Sequence, residues 1–558
     1  MPDSNLPERH TPNRGGDADS PEVAVRSPVR SADAFDPDPT GDTDRVFPLS
    51  VASGSPTPTG VVLWTRVAPE AYDSETPLGL TVAEDPDFES VVSRSRIPAA
   101  AFGRRHDYTV RVDLSGELDP DRHYYYRFVH DGVASNVGRC RTLPAPDASP
   151  DSVSLGVVGC QHYQNGYYGA YNHLAGEDVD FVLHLGDYVY EATKDQFRAP
   201  GATDYPGRDF EFPSGHDVAW NLADFRKLYR TYRSDGFLQA AHERHTFIRA
   251  WDDHAVANNR YWDYEADAPA TADHPRGDDP AFMRRLTADG IRAWWEYTPA
   301  RVDYDPDADH LHDALRLWRR FEFGDLLTLL LTDERLFRSE PPCADDTLLP
   351  DWLPWAPSLG ESGRTMLGER QREWFLDGVR SSDATWTGWA NEVLSMPFRV
   401  GVGPVSTTPN LDAWDGYDRE RDLVFDALAE AENAVTLTGD MHTAIAGYQR
   451  TDDGAPVGVE FMTPSVTSVN IAESVSAHDG LAAKLTRPLL SNAVTAMNPH
   501  FEFFDSHHWG YSVAEFTRDD CTFTTYSVDK SVDSPNAERE RLAKFRVPAG
   551  RVEIQREA

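Results

Sequence analysis

A chain of 558 residues with 40% hydrophobic and 11% aromatic content has material for two or three domains and a large core, which excludes a wholly disordered protein. Asp and Glu number 92 against 53 Lys and Arg, a net charge of −39, which argues against a nucleic-acid partner, since backbone binding requires a basic face. No apolar run is long enough to span a membrane, and Cys140, Cys160, Cys343 and Cys521 are too scattered for a disulfide framework or a CxxC metal knuckle. The charge suits a surface adapted to high salt, where a screening length of about 3 Å mutes self-repulsion; an ordinary acidic protein is the alternative.

Residues 1 to about 43 are polar and rich in Pro, Gly, Asp and Arg, which predicts a disordered tail. They hold no apolar leader segment and no twin-arginine pair ahead of one, so the expectation is a soluble intracellular protein, or an exported one whose leader is absent from this numbering. From 44 to 145 the chain reads as short strands bounded by Pro, Gly and Asp: Arg45–Leu49, Gly60–Val67, Leu80–Ala83, Tyr108–Val112 and His123–Val129. That is the pattern of an antiparallel sandwich of fibronectin or immunoglobulin type. Leu118-Asp119-Pro120 ahead of Tyr124 suits a tyrosine corner. Nothing in this stretch clusters His, Asp or Cys, which favours a structural or docking role.

After the linker Arg141–Pro146, strands alternate with helices through residues 150–558. Ser152–Gly159 is a strand ending at Cys160, and Asn165–Glu177 its crossover helix, with Tyr168, Tyr171 and Leu174 on one face. Phe181 to Leu185 is an apolar run feeding into Gly186-Asp187, with a second hard oxygen donor, Tyr190, within a turn. Thr193–Gly215 is a long loop, Leu222–Ala241 is helical in period, and Phe247–Trp251 is a strand closing on Asp252-Asp253-His254. A second acidic loop, Tyr264–Pro280, precedes a helix through Trp294 and Trp295. Arg319–Asp325 and Leu326–Thr332 follow, the latter closing on Asp333-Glu334-Arg335. Pro341–Gly363 is a loop, and a helix runs through Trp374. Trp386–Met396 and Ala434–Thr438 are strands, the second closing on Gly439-Asp440-Met441-His442. The remainder mixes loops and late strands.

Four strands thus end in metal-ligand types: Cys160; Asp187 with Tyr190; Asp252-Asp253-His254; Asp440 with His442. One strand-end Asp is ordinary turn chemistry. Four such ends in a wound sheet converge on one crevice. So much negative charge calls for multivalent cations. Tyrosinate and thiolate favour a high-charge ion such as Fe(III), and the carboxylates favour Ca²⁺ or Mg²⁺, with Asp187 placed to bridge. Such a pair polarises a phosphate and generates hydroxide at neutral pH. His254 is placed to donate a proton or stabilise phosphoryl charge; a structural or metal-bound imidazole is the alternative.

Asp187-Tyr188-Val189-Tyr190, Trp251-Asp252-Asp253-His254 and Gly439-Asp440-Met441-His442 resemble the calcineurin-like metallophosphoesterase pattern, in the form with Cys first that PhoD-type alkaline phosphatases carry. Val51–Gly54 with Val62–Arg66, Gly159-Cys160-Gln161, Trp414–Tyr417 and Thr463–Ser468 fit the same family, over about residues 45 to 550. The resemblance implies an α/β metallophosphoesterase sheet sandwich flanked by helices and preceded by a smaller all-β sandwich. It implies a secreted, phosphate-scavenging phosphomonoesterase and phosphodiesterase carrying Fe(III) and Ca²⁺, acting on small phosphate esters through a metal-bound oxygen nucleophile. By that similarity Cys160, Asp187, Tyr190 and His442 hold iron, and Asp187, Asp253 and Asp440 hold calcium, with Asp252 available to a second calcium. Arg335 looks like the end of the family's Asp-x-Arg strand and would contact phosphate; a surface salt bridge is the alternative. Ala255 stands where the family usually has Glu. A monomer is expected. A dedicated phosphodiesterase of small nucleotides, lipid headgroups or wall polymers, and a noncatalytic protein stapled by its metals, remain open as alternatives.

Overall fold

The computed structural model describes residues 27–28, 41–194, 196–199, 203–342, 363–401, 408–476 and 480–557. The expected tail therefore lies outside the described residues except for Ser27–Pro28, a short strand paired with Ser95 and Arg96. Most of the Pro341–Gly363 loop, part of the Thr193–Gly215 loop and Cys343 also lie outside them. Cys140, Cys160 and Cys521 are free and buried.

Two large sheets pack face to face. In the ten-stranded sheet, Phe181–His184 runs parallel to Ser152–Val158 on one side and to Thr246–Arg249 on the other. It is wholly buried, as an uninterrupted apolar run between parallel neighbours should be. Gly510–Thr517, Asp520–Val528, Arg539–Pro548 and Gln555–Glu557 extend this sheet antiparallel beyond Ser152–Val158. The seven-stranded sheet has a parallel centre of Leu327–Leu331, Trp386–Asn391, Ala434–Thr438 and Pro456–Met462. Arg319–Phe323 edges it on one side, and Ala444–Arg450 with Phe501–Asp505 on the other. The facing sheets interlock through aromatic pairs: Phe181 on Phe323 at 5.5 Å and Phe461 on Phe523 at 4.7 Å between ring centroids.

The N-terminal region is all-β, but it is not a free-standing sandwich. One of its layers is an antiparallel sheet of its own, built on Leu78–Ala83, Val91–Ile97, His123–His130 and Gly138–Arg141. The other layer, Val51–Thr57, Gly60–Arg66 and Thr109–Asp113, continues the ten-stranded sheet, with Val51–Thr57 lying parallel to Thr246–Arg249. Gly54 permits that junction: a Cβ there would stand 2.3 Å from the Pro299 carbonyl oxygen and 2.8 Å from that of Phe247. Tyr124 forms the expected corner, its hydroxyl accepting the Asp119 N–H at 2.9 Å.

Other departures have local causes. Arg45–Leu49 is not a strand: Thr43–Val46 makes one helical turn, capped by the Asp42 carboxylate. The helix predicted over Leu222–Ala241 is two, Leu222–Tyr232 and Gly236–Arg244, because Asp235 caps the second by accepting the N–H groups of Phe237 and Leu238. The Tyr264–Pro280 loop follows the strand Tyr261–Asp263 and contains its hairpin partner, Ala268–Ala270. Gly480–Met497, expected as loop or strand, is helical through Pro488.

Candidate active site

The parallel strands of both sheets end on the same side, and the candidate residues follow those ends directly. Cys160, Asp187 and Asp252 to His254 come from the ten-stranded sheet, whereas Arg335, Asp440 and His442 come from the seven-stranded one. The crevice is therefore formed between two facing sheets and not at the switch point of one wound sheet.

Bringing them together takes unusual backbone. Cys160, Asp187, Asp440 and His442 all adopt left-handed conformations, with φ of 55°, 51°, 71° and 52°. Non-glycine residues in this region cost about 1–3 kcal/mol each and persist only where the surrounding structure over-determines them, which is common at active sites. Gly186, at φ 117°, allows the closest approach, since a Cβ there would meet the Asp252 Cβ and the Trp251 carbonyl oxygen, each at 2.7 Å.

Two groups of donors result. Ligand atoms of Cys160, Asp187 and His442 lie within 4.8 Å of one another, and so do those of Asp187, Asp253 and His254, so that Asp187 is common to both. Tyr190 joins the first group, its hydroxyl 3.0 Å from Asp187 Oδ2 and 3.1 Å from His442 Nε2. Asp252 and Asp440 stand beside these groups in the grip of Arg335. The Arg335 guanidinium bonds to Asp252 Oδ1, to Asp440 Oδ1 at 2.9 Å and to Asp412 Oδ2 at 2.6 Å. The surface salt bridge weighed for Arg335 is thereby corrected: the side chain is wholly buried among four carboxylates, those of Asp252, Asp253, Asp412 and Asp440.

The electrostatics suit the binding of a cation. Burial pushes the Asp187 carboxyl far above the usual carboxylate range, Asp252 up to about 8 and Asp440 up to about 7. Burial, then the neighbouring aspartates, pushes the Cys160 thiol up as well. Asp187 Oδ1 and Asp252 Oδ2 are buried without a hydrogen-bond partner. Buried acidic O and S donors whose charged forms are disfavoured by their surroundings, with orphaned lone pairs among them, fit a metal centre, because an ion that binds displaces protons from such donors. Asp253 is held below the usual range, its burial outweighed by Arg335 and His254. For His254, burial favours the neutral ring but is outweighed by Glu191, Asp187 and Asp253, which raise its pKa.

With this geometry in place, residues 155–525 match the family model of the PhoD-like phosphatase and residues 32–144 that of the PhoD-like phosphatase, N-terminal domain. The chain belongs to the PhoD-like phosphatase family. It is 31% identical to alkaline phosphatase D of Bacillus subtilis (strain 168) over 478 residues, covering 83% of this chain and 74% of that protein. A solved structure of PhoD aligns with a TM-score of 0.76 at 27% identity, covering 93% of each chain. Membership in this family makes the protein a phosphoesterase hydrolase of mixed α/β fold.

Several residues of this phosphatase site were given no role in the sequence. Glu191 accepts from His254 Nδ1 at 2.7 Å and from the Asn258 N–H at 2.6 Å, leaving His254 Nε2 for the site. A carboxylate thus supports the histidine although Ala255 follows it. Asp412 pairs with Arg338 as well as with Arg335. Ser468 donates to the Cys160 carbonyl at 2.7 Å and bonds the Tyr190 hydroxyl at 2.6 Å, while the Val469 carbonyl holds His442 Nδ1 at 2.5 Å. Glu191 follows Asp187 by four residues and could have been found from that spacing; Asp412 lies in a loop with no periodic signal. Glu191→Gln keeps the shape but removes the charge facing His254. Loss of such a supporting group typically costs about 10–100-fold, and kcat for a phosphate ester is expected to fall by that factor in steady-state kinetics.

Proposed function

We propose that the protein hydrolyses small phosphate monoesters, and diesters as well, at a multinuclear metal site containing Fe(III) and Ca²⁺. The observation that carries this reading is the pair of donor groups sharing Asp187. Cys160, Tyr190, His442 and Asp187 present the thiolate, phenolate and imidazole that suit Fe(III). Asp187, Asp253 and Asp440, with Asp252 beside them, present the carboxylates that suit Ca²⁺. When bound, these ions supply Lewis acidity toward the phosphoryl oxygens.

The remaining roles belong to side chains. His254, its Nδ1 bound by Glu191, is oriented to hold a proton at Nε2 for the departing ester oxygen. Arg335 fixes Asp252 and Asp440 in mutual register and balances their charge. The division at about residue 145 is read as a structural N-terminal unit that buttresses the sheet bearing Asp252–His254.

The test is hydrolysis of a chromogenic phosphate monoester by purified protein in high salt with calcium, before and after chelation. Chelation is expected to remove activity and calcium to restore it. Activity that survives chelation would falsify the metal reading. Rates on a matched diester then measure the second activity.

A further inference from the structure

Away from the donor groups, a cavity of about 560 Å³ opens between Ser55–Pro58 and Arg319–Phe323, the edge strand of the seven-stranded sheet. Arg301, Arg316, Arg319 and Arg320 line it with two carboxylates, Asp303 and Glu322, and with Trp318 and Trp374. Four guanidiniums around one cavity are unexpected in a chain of net charge −39.

Their partners differ. Arg301 is satisfied by Asp113 through bonds of 3.0 and 2.7 Å. Arg320 pairs with Glu322 at 2.9 Å but keeps a buried Nε without a hydrogen-bond partner. Arg316 is 3.9 Å from Asp303 and lies over the Trp318 ring, 5.4 Å from its centroid. Arg319 has no carboxylate at ion-pair distance among the described residues. It donates to Ser55 Oγ at 2.8 Å and to the Arg249 carbonyl, and its Nε is buried and unpartnered. Burial first, and then Arg301, Arg249 and Arg111, push its pKa down. Arg249 is not part of the cavity wall: its buried guanidinium lies over the Tyr188 ring, 3.7 Å from the centroid. Three of the four guanidiniums thus have a carboxylate within 3.9 Å, and the one positive charge left over, on Arg319, calls for an anion from outside.

The shape refines its chemistry. A bare tetrahedral anion fills only a small part of the cavity, and Trp318, Phe321 and Trp374 supply flat apolar walls. We propose that this cavity is a second binding site, distinct from the catalytic one, for a molecule that carries an oxyanion group on a planar apolar body. Arg319 and Arg320 take the oxyanion, and the Trp318 and Trp374 rings take the body. None of the lining residues is a donor of the catalytic site, so binding here does not depend on the hydrolytic reading.

The probe is 1-naphthylphosphonate, whose C–P bond an ester hydrolase does not cleave. Titration calorimetry of the metal-loaded protein is expected to show a binding event that chromogenic substrate does not displace. Arg319→Met is expected to weaken that event at least tenfold, with kcat/KM for the chromogenic ester unchanged within twofold. Trp318→Leu, which keeps every charge, serves as the second variant should Arg319→Met not fold, and the same tenfold loss is expected. Inorganic phosphate is expected to bind there at least tenfold more weakly than the probe. The proposal is overturned if all probe binding is displaced by substrate, if the second event survives both variants, or if phosphate alone binds as tightly as the probe.

Discussion

Replacing Asp187 with Asn is expected to lower hydrolysis by at least about 10²–10³-fold, the scale on which removal of one preorganised electrostatic group acts. The substitution is nearly isosteric. Asn tolerates the left-handed backbone at this position as well as Asp does. The backbone is thus unperturbed, and only the charge and the acceptor capacity of one oxygen change. Because Asp187 belongs to both donor groups, both ions are expected to weaken together; Cys160→Ser removes a donor from one group alone. Stability should move the other way. In chelator the wild-type carboxyl is buried, with Oδ1 unpartnered, so Asp187→Asn is expected to melt no lower than wild type under that condition. Kinetics, metal analysis and thermal unfolding with and without chelator check all three. Unchanged hydrolysis in a folded Asp187→Asn protein would remove the shared-ligand reading.

What could be read in advance depended on how local the cause was. Phe181–His184 announces itself because a strand buried on both faces by parallel neighbours must be apolar throughout, and the loop at its end must carry the chemistry. Ala434–Thr438, closing on Asp440, follows the same logic in the other sheet. The junction of Val51–Thr57 with Thr246–Arg249 could not be read, because nothing near either strand records a partner about 190 residues away. The break at Asp235 was legible in principle, as a capping residue two positions before Phe237, but the apolar period on either side masked it. Gly480–Met497 is helical despite Pro488, a case in which tertiary context overrides a strong local preference. Within the site, the donor types were visible as strand-end residues, whereas the groups that hold them, Asp412, Ser468 and the Val469 carbonyl, come from irregular loops. Irregular backbone carries no hydrophobic period from which such contacts can be inferred.

Those loops raise the question of what holds the holders, and Lys530 gives the second large expected effect. Its ammonium is buried and donates to Glu473 at 2.9 and 2.8 Å and to the Thr467 carbonyl at 3.0 Å. Asn165 reaches the same Thr467 carbonyl at 2.9 Å and Glu473 at 3.0 Å. Trp509 lies under the ammonium at 3.9 Å and donates its indole N–H to the Ser468 carbonyl at 2.8 Å. This cluster anchors the segment whose Ser468 hydroxyl bonds Tyr190 and whose Val469 carbonyl bonds His442. Removing one partner of a buried ion pair leaves an uncompensated charge and costs about 3–5 kcal/mol, so Lys530→Met is expected to destabilise the fold on that scale in denaturant unfolding. The double variant Lys530→Met/Glu473→Met removes both charges and should recover most of the stability. Its kcat is nevertheless expected to stay reduced, by roughly tenfold, because the Thr467 carbonyl has lost one of its two donors and Tyr190 and His442 lose their fixed orientation. KM should change little, since none of these groups faces substrate. If the double variant regains both stability and kcat, the pair only staples the fold; if stability returns without kcat, the Lys530 cluster orients Tyr190 and His442.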